Sequence, residues 1–297
     1  MRFVTFCHQG QKRAGVLLAT EPSGLQILDG AHPERPLLLQ KLEPNMSAWL
    51  RHGLQAISES VRRCKVHDDA LIPLEHAQLC SPLPSQSGKI VGAAFNYRDG
   101  LALGTRAAPE EPIIFIKSSS TVVGPGEPVR IPTAADCTYE AELAVVIGRQ
   151  ALKVHRSEAM EYVAGYTLFN DVSASRYVRE DQGFVRGKNQ PASGPLGPWI
   201  VLPSDVPDPY DLPISLKVDD RILQASNTAQ MLHRIDVLIE YISAQMPLDV
   251  GDVIATGTPA GVASHHRPAT WLRPGQEISI QMTSWFGELT NPVLSIQ

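Results

Sequence analysis

Short blocks in which apolar and polar residues alternate, or in which apolar residues run together, fill most of this chain. That pattern predicts strands. Before residue 80 it predicts strands over Arg2–Phe6 and Gly15–Ala19, then a helix with one polar face over Met46–Arg62. The stretch SPLPSQSG, residues 81–88, is rich in Pro, Ser and Gly and reads as a linker. Beyond it the strand-like runs crowd together: Lys89–Gly92, Ile113–Ile116, Tyr139–Ile147, Tyr166–Phe169, Ile214–Val218, Val253–Thr256 and Glu277–Met282. Two more helices stand out. Ser157 is placed to cap one over Glu158–Val163. Leu232, Ile235, Ile239 and Ile242 share a face of another running from about Thr228 to Ser243, which the turn PLDVGD ends. Strands outnumber helices, so the expected class is α+β and β-rich, not a doubly wound sheet. The expected division is a small N-terminal α/β domain over residues 1–80 and a larger domain over residues 81–297.

The segment YEAELAVVIG adds chemistry to this pattern. On a strand, residues two apart share a face. Glu140, Glu142, Ala144 and Val146 then point one way, and Ala141, Leu143, Val145 and Ile147 the other. Both faces turn apolar toward Ile147, the mark of a buried strand. Two carboxylates at its start can converge on one ion. A buried carboxylate is paired, protonated or metal-bound, and an all-oxygen shell favours Mg²⁺, Mn²⁺ or Ca²⁺ over zinc. The plain alternative is a strand end whose two acids face water. Asp171 closes the apolar run GYTLFND where a loop begins, a place where ligands gather. Its plain alternative is a turn former beside Asn170.

Composition narrows the function classes. Charged residues make up 19% of the 297 and the net charge is −5, without a Lys/Arg run, so no nucleic-acid partner is expected. The first residues lack the long apolar stretch of a signal peptide, and no run of eighteen apolar residues suggests a membrane span. Cys7, Cys64, Cys80 and Cys137 are scattered without a C-x-x-C, which suits reduced thiols in a cytoplasmic protein. No G-x-S-x-G, H-E-x-x-H or Walker-type loop occurs.

Four segments in order, TYEAELAVVIG, GYTLFNDVSAS, GPLGPWIV and GDVIATGTPAGV, make the chain resemble the fumarylacetoacetate hydrolase family over most of residues 89–297. The start, MRFVTF…AGVLL, also resembles the small N-terminal domain of many members. The resemblance implies a rolled mixed β-sheet, a homodimer, and Mg²⁺ or Mn²⁺ held by a Glu-x-Glu pair and a later Asp, which fall here on Glu140, Glu142 and Asp171. It implies 2-oxo or 1,3-dicarbonyl acid substrates and reactions of C–C hydrolysis, decarboxylation, hydration or isomerisation. Lys188 matches the lysine the family places before its P-L-G-P motif, which implies a catalytic ammonium near a substrate oxygen or carboxylate, and Thr258 matches a threonine that contacts substrate, with a solvated loop cation and a backbone turn as the alternative roles. Tyr97 in NYRDG is a further expected substrate contact.

The resemblance also breaks. Many members carry His and, three residues on, Glu in a motif like N-Y-x-D-H-x-x-E, and the pair activates water. Gly100 and Leu103 stand at those positions, and Asp99 precedes them by one. An Arg expected four residues after Asp171 is replaced by Ser175; a one-residue shift would bring in Arg176 as a substrate contact, and Arg179 beyond it. His265, His266 and His233 are the candidate replacement bases, the first two expected to be catalytic. Hydrolysis stands narrowly first among the expected reactions. Decarboxylation and enol–keto or double-bond isomerisation, which need no activated water, come close behind. A metal- and oxo-acid-binding relative without catalysis is the reading from a different class.

Overall fold

In the computed structural model, residues 1–20, 24–83, 88–103 and 107–296 are described. Residues 84–87 of the expected linker lie outside them. Among the described residues the principal sheet runs, from edge to edge, through Leu71–Pro73, Gly24–Asp29, Gln11–Thr20, Arg2–His8, Gly194–Val201, Val163–Asn170, Ala141–Ile147, Val253–Ala255, Lys89–Ala94 and Ile113–Ser118. Most neighbours are antiparallel, but Val253–Ala255 runs parallel to Lys89–Ala94, so the sheet is mixed. The N-terminal strands join it directly, through Arg2 opposite Val201 and Phe3 opposite Ile200. A second sheet orders Arg221–Asn227, Pro213–Val218, Glu277–Gln281, Glu288–Ser295 and Val129–Ile131.

Strand alternation divides the interior. Ala141, Leu143, Val145 and Ile147 enter one core with the helix residues Ile235, Leu238, Ile239 and Ile242 and with Ile214, Leu216, Ile278 and Ile280 of the second sheet. Ala144 and Val146 enter another, with Trp49, Leu50, Leu54 and Ile57 of the N-terminal helices. A strand covered on both faces is apolar throughout except where it ends. Here that exception is Glu142, on the Ala144 face.

The fold is the expected strand-rich α+β class, with four local corrections. The helix expected over Met46–Arg62 is two helices, Met46–His52 and Leu54–Arg63. They break at Gly53, whose φ of 103° no ordinary helix admits. The segment expected to be a helix from Thr228 becomes one only at Ile235–Gln245. Thr228–Gln230 forms a separate 3-10 helix, and Asn96 pins the residues between the two: its main-chain oxygen accepts from Leu232 N, and its side-chain Oδ1 accepts from His233 N at 2.7 Å. His233 therefore precedes the helix instead of riding on it. The helix expected over Glu158–Val163 with Ser157 as its cap is a short 3-10 helix, Arg156–Tyr162, capped instead by His155, whose Nδ1 accepts from Ser157 N. Finally, GPLGPWIV is a wholly buried strand at the centre of the main sheet. Its prolines hid it, because proline is rare in central strands; the pairing with Val163–Asn170 is irregular there, which accommodates them.

Candidate active site

The register of two strands assembles the acids. Ala141 pairs with Asn170 and Glu142 with Phe169. One step further out, Asp171 N donates to Glu140 O at 3.0 Å, and Asn170 Oδ1 accepts from Glu140 N at 3.0 Å. Glu140 and Asp171 thus stand across from each other, and Glu142 lies two residues inward on the same face. One oxygen from each of the three carboxylates lies within 4.8 Å of the others.

Two lysines enter this cluster. Lys188 Nζ donates to Glu140 Oε2 at 2.8 Å and to Asp171 Oδ2 at 2.7 Å. Lys117 Nζ lies 2.9 Å from Asp171 Oδ1 and donates to Val172 O and Ser193 Oγ. Ser173 Oγ reaches Glu140 Oε1 at 3.2 Å. Glu142 has no ammonium or guanidinium within ion-pair distance among the described residues; its Oε2 accepts from Gly257 N at 2.8 Å. Gly257 must be glycine for that contact. Its φ is 96°, and a Cβ would stand 2.8 Å from Ala93 O.

The electrostatics follow from burial. Lys117, Asp171 and Glu142 are at most 2% exposed. Burial, then the neighbouring Asp171 and Glu140, pushes the Glu142 carboxyl well above its ordinary range. Burial also raises Glu140, with Lys188 opposing. At Asp171 burial acts upward, but the ammoniums of Lys117 and Lys188 outweigh it and the net shift is down. Burial alone would lower Lys188; Asp171 and Glu140 more than reverse it, so this ammonium keeps its proton. Lys117 goes the other way, with burial prevailing over Asp171. Three carboxylates against two ammoniums leave the fully ionised cluster one negative charge in excess, and Glu142 without a cation. A buried, uncompensated carboxylate is costly. The donor set is all oxygen, converges on a small volume and lacks one counter-charge, so it fits a hard divalent cation.

Glu140 and Glu142 form the floor of a cavity of about 410 Å³, lined also by Tyr97, Gly100, Arg179, Lys188, Thr258 and His265; Asp171, fully buried, does not reach its surface. Tyr97 is buried, and its phenol is pushed up by burial and then by Glu142, so it keeps its proton. Thr258 borders the cavity, but its hydroxyl donates to Ala141 O at 2.9 Å and accepts from Gln224 Nε2. His265 Nδ1 accepts from Gly261 N at 3.1 Å. Burial, then His266 and Arg267, lowers its pKa, so the ring is neutral with its proton on Nε2. Its Nε2 is therefore a donor, not a base. The other expected residues lie elsewhere. His266 Nε2 is bonded to Gly261 O and borders a separate surface pocket. Arg176 is exposed, pairs with Glu180 at 2.7 Å and does not line the cavity; Arg179 does. His233 does not line it either, and burial lowers its pKa. Asp99 turns away to Ser226 Oγ and Gly100 N.

Sequence reasoning missed Lys117 and Gln224. Lys117 had a signal: it ends the apolar run IIFIK on a strand, where a solvated lysine is out of place. Gln224, whose Oε1 accepts from Ala141 N at 2.9 Å, had none.

A strand-rich mixed sheet that gathers acids at strand ends, with two lysines against them and a cavity beside them, has the build of an enzyme, and comparison with known proteins gives its family. The family model for the fumarylacetoacetate (FAA) hydrolase C-terminal domain matches residues 89–294. The chain belongs to the fumarylacetoacetate hydrolase family. It is 32% identical over 277 residues to the mitochondrial oxaloacetate tautomerase fahd2 of Xenopus laevis, covering 91% of this chain and 85% of that protein. It superposes on a 5-carboxymethyl-2-hydroxymuconate delta-isomerase from Mycobacterium smegmatis with a TM-score of 0.76 at 30% identity, covering 100% of both chains. A fumarylacetoacetate hydrolase from Exiguobacterium antarcticum gives 0.80 at 29% identity, again covering 100% of both. The relatives' names span tautomerase, isomerase and hydrolase. Among the described residues no helix is long and apolar enough to cross a membrane.

Proposed function

We propose that this chain isomerises a small 2-oxo or 1,3-dicarbonyl acid through its enolate, in a reaction that depends on a divalent cation, Mg²⁺ first and Mn²⁺ or Ca²⁺ in its place. The observation that carries this reading is a pairing: an acid–lysine floor complete enough to bind an oxo acid, below a short helix that offers no water-activating pair. Glu140, Glu142 and Asp171 would hold the cation, which would supply Lewis acidity toward the substrate's oxo and carboxylate oxygens. Lys188 has three donors, of which two go to Glu140 and Asp171, leaving one for the oxygen that gains charge as the enolate forms. His265 can donate to the same molecule through Nε2. Buried Tyr97 and the apolar walls keep bulk water from the enolate.

Hydrolysis needs an activated water, and isomerisation does not. Gly100 borders the cavity without a side chain, and Leu103, 62% exposed, offers no carboxylate. This moves the weight from hydrolysis to isomerisation. Decarboxylation stays the second reading, because it uses the same floor and also spares the water.

The test follows enol absorbance, CO₂ release and cleavage products separately, with oxaloacetate, phenylpyruvate and an acylpyruvate as substrates and with Mg²⁺ or chelator present. Faster enol–keto exchange that stops with chelator is expected. Acylpyruvate cleavage as the main activity would overturn isomerisation, and CO₂ release as the main activity would favour the second reading.

A further inference from the structure

The cavity joins two chemistries. Its floor is ionic, but its walls are Phe95, Leu101, Phe115, Val178, Phe184 and Val262. Phe115 and Phe184 stack with ring centroids 4.8 Å apart at 29°, making one flat aromatic wall. Lys188 Nζ sits 5.0 Å from the Phe115 ring, so this wall rises directly from the floor. Phe95 is 41% exposed although it is a large aromatic. It also holds φ at 59°, in the left-handed region that bulky side chains avoid. A strained backbone that presents a ring to a cavity is the kind of outlier found at ligand clamps. Beside the Lys188 ammonium, the one guanidinium among the described lining residues, Arg179, is engaged by Asp136 Oδ2 at 2.8 Å. A second carboxylate on the substrate would therefore meet rings and, among the described lining residues, no unpaired guanidinium.

We propose that the preferred substrate is a 2-oxo acid with an apolar arm, alkyl or aryl, beyond its enolisable carbon, and not a short dicarboxylic oxo acid. This rests on the oxo-acid reading above. The head lies on the acid–lysine floor and the arm lies between Phe95 and the Phe115–Phe184 wall. The volume of about 410 Å³ suits a ligand larger than a four-carbon acid.

Two probes that cannot form the carbon enol separate the arm from the reaction. N-phenyloxamate and oxalylglycine share a head and differ in the arm, apolar in one and carboxylate in the other. Calorimetric titration of the Mg²⁺-loaded full chain is expected to show N-phenyloxamate binding at least about tenfold more tightly, since a carboxylate against apolar walls loses its hydration without a partner. Phe95→Asn suits the left-handed backbone, so its unfolding midpoint should not fall, while the preference shrinks at least about threefold. Phe184→Arg adds a cation to the wall and should shift the preference toward oxalylglycine. Equal or tighter binding of oxalylglycine by the wild type overturns the proposal, as does an unchanged preference in both variants. If neither probe binds, the oxo-acid reading fails and takes this proposal with it. If both bind equally, the apolar arm alone fails.

Discussion

The floor of the cavity and the short helix above it are built on opposite terms. On the floor each acid has a fixed partner: Glu142 takes the Gly257 N–H, Glu140 takes Ser173 and Lys188, and Asp171 takes two lysines. These groups are largely buried, so changing one strands another in a place water cannot reach. The helix Arg98–Ala102 is five residues long and none of them is buried. A side chain there can be lost without leaving an unpaired charge behind. The contrast explains how a chain can hold a carboxylate cluster that fits a hard cation and still lack a His/Glu pair on the helix beside it. Chemistry can diverge on the exposed helix while the ionic floor stays as it is.

The comparison is tested hardest at Asp171. Removing it leaves Lys117 fully buried without its carboxylate and takes one of the two acids from Lys188. Breaking a buried ion pair from one side costs about 3–5 kcal/mol, so urea unfolding of Asp171→Ala should show a loss of that size. A loss below about 1 kcal/mol would mean that the floor is not the tightly coupled unit described.

Cation binding comes next. A ligand at a hundred times its Kd stabilises by about 2.7 kcal/mol. Mg²⁺ or Mn²⁺ at that excess should raise the unfolding midpoint of the wild type, and Glu142→Gln should abolish the rise. The metal-free protein carries a matching pH signature. Glu142 has a folded pKa above its unfolded one, so its contribution is fully present below the ordinary Glu range and is lost as pH rises through the raised value. Stability in chelator should therefore decline as pH rises beyond that range, and the decline should flatten in Glu142→Gln. The same slope in wild type and variant would show that Glu142 is not the strained acid.

Gly257→Ala comes third. A Cβ there meets Ala93 O at 2.8 Å on a backbone with φ 96°, for about 1–3 kcal/mol of strain. It should also weaken Mn²⁺ affinity, because the N–H that fixes Glu142 has to move. Stability loss with unchanged Mn²⁺ affinity would separate the glycine from the cradle.

How much of this could be read in the chain depended on whether local pattern or distant pairing decided it. Glu140 and Glu142 were legible because the strand period puts them on one face without reference to anything else. Asp171 was legible as a strand end, yet its place opposite Glu140 is a matter of register, which only the pairing of Ala141 with Asn170 shows. The strand Gly194–Val201 was hidden by Pro195 and Pro198, and the start of the helix at Ile235 by Asn96, well over a hundred residues away in sequence. His265 looked like a base by residue type; only the Gly261 N–H on its Nδ1 shows which nitrogen holds the proton. Lys117 was the missed opportunity, a lysine ending an apolar strand.

The smallest effect on stability, and the sharpest test of the contrast, belongs to the exposed helix. Among the described residues, the nearest atoms to a Cβ on Gly100 would be Ala260 N, Pro259 C and Thr258 O, at 3.6–3.7 Å, which is ordinary contact. Gly100 has no positive φ that would demand glycine, and a side chain in place of a helical glycine is favourable by about 0.5–1 kcal/mol. Leu103 is exposed and can take a charge. Gly100→His with Leu103→Glu should therefore leave stability within about 1 kcal/mol of wild type. If the floor is already competent to bind the oxo acid and only the water-activating pair is lacking, the double variant should cleave an acylpyruvate measurably faster than the wild type, in a metal-dependent way, with each single variant falling short of it. A folded double variant that cleaves no faster would show that more than these two side chains separates this chain from hydrolysis, and that the floor and the helix are less independent than their burial suggests.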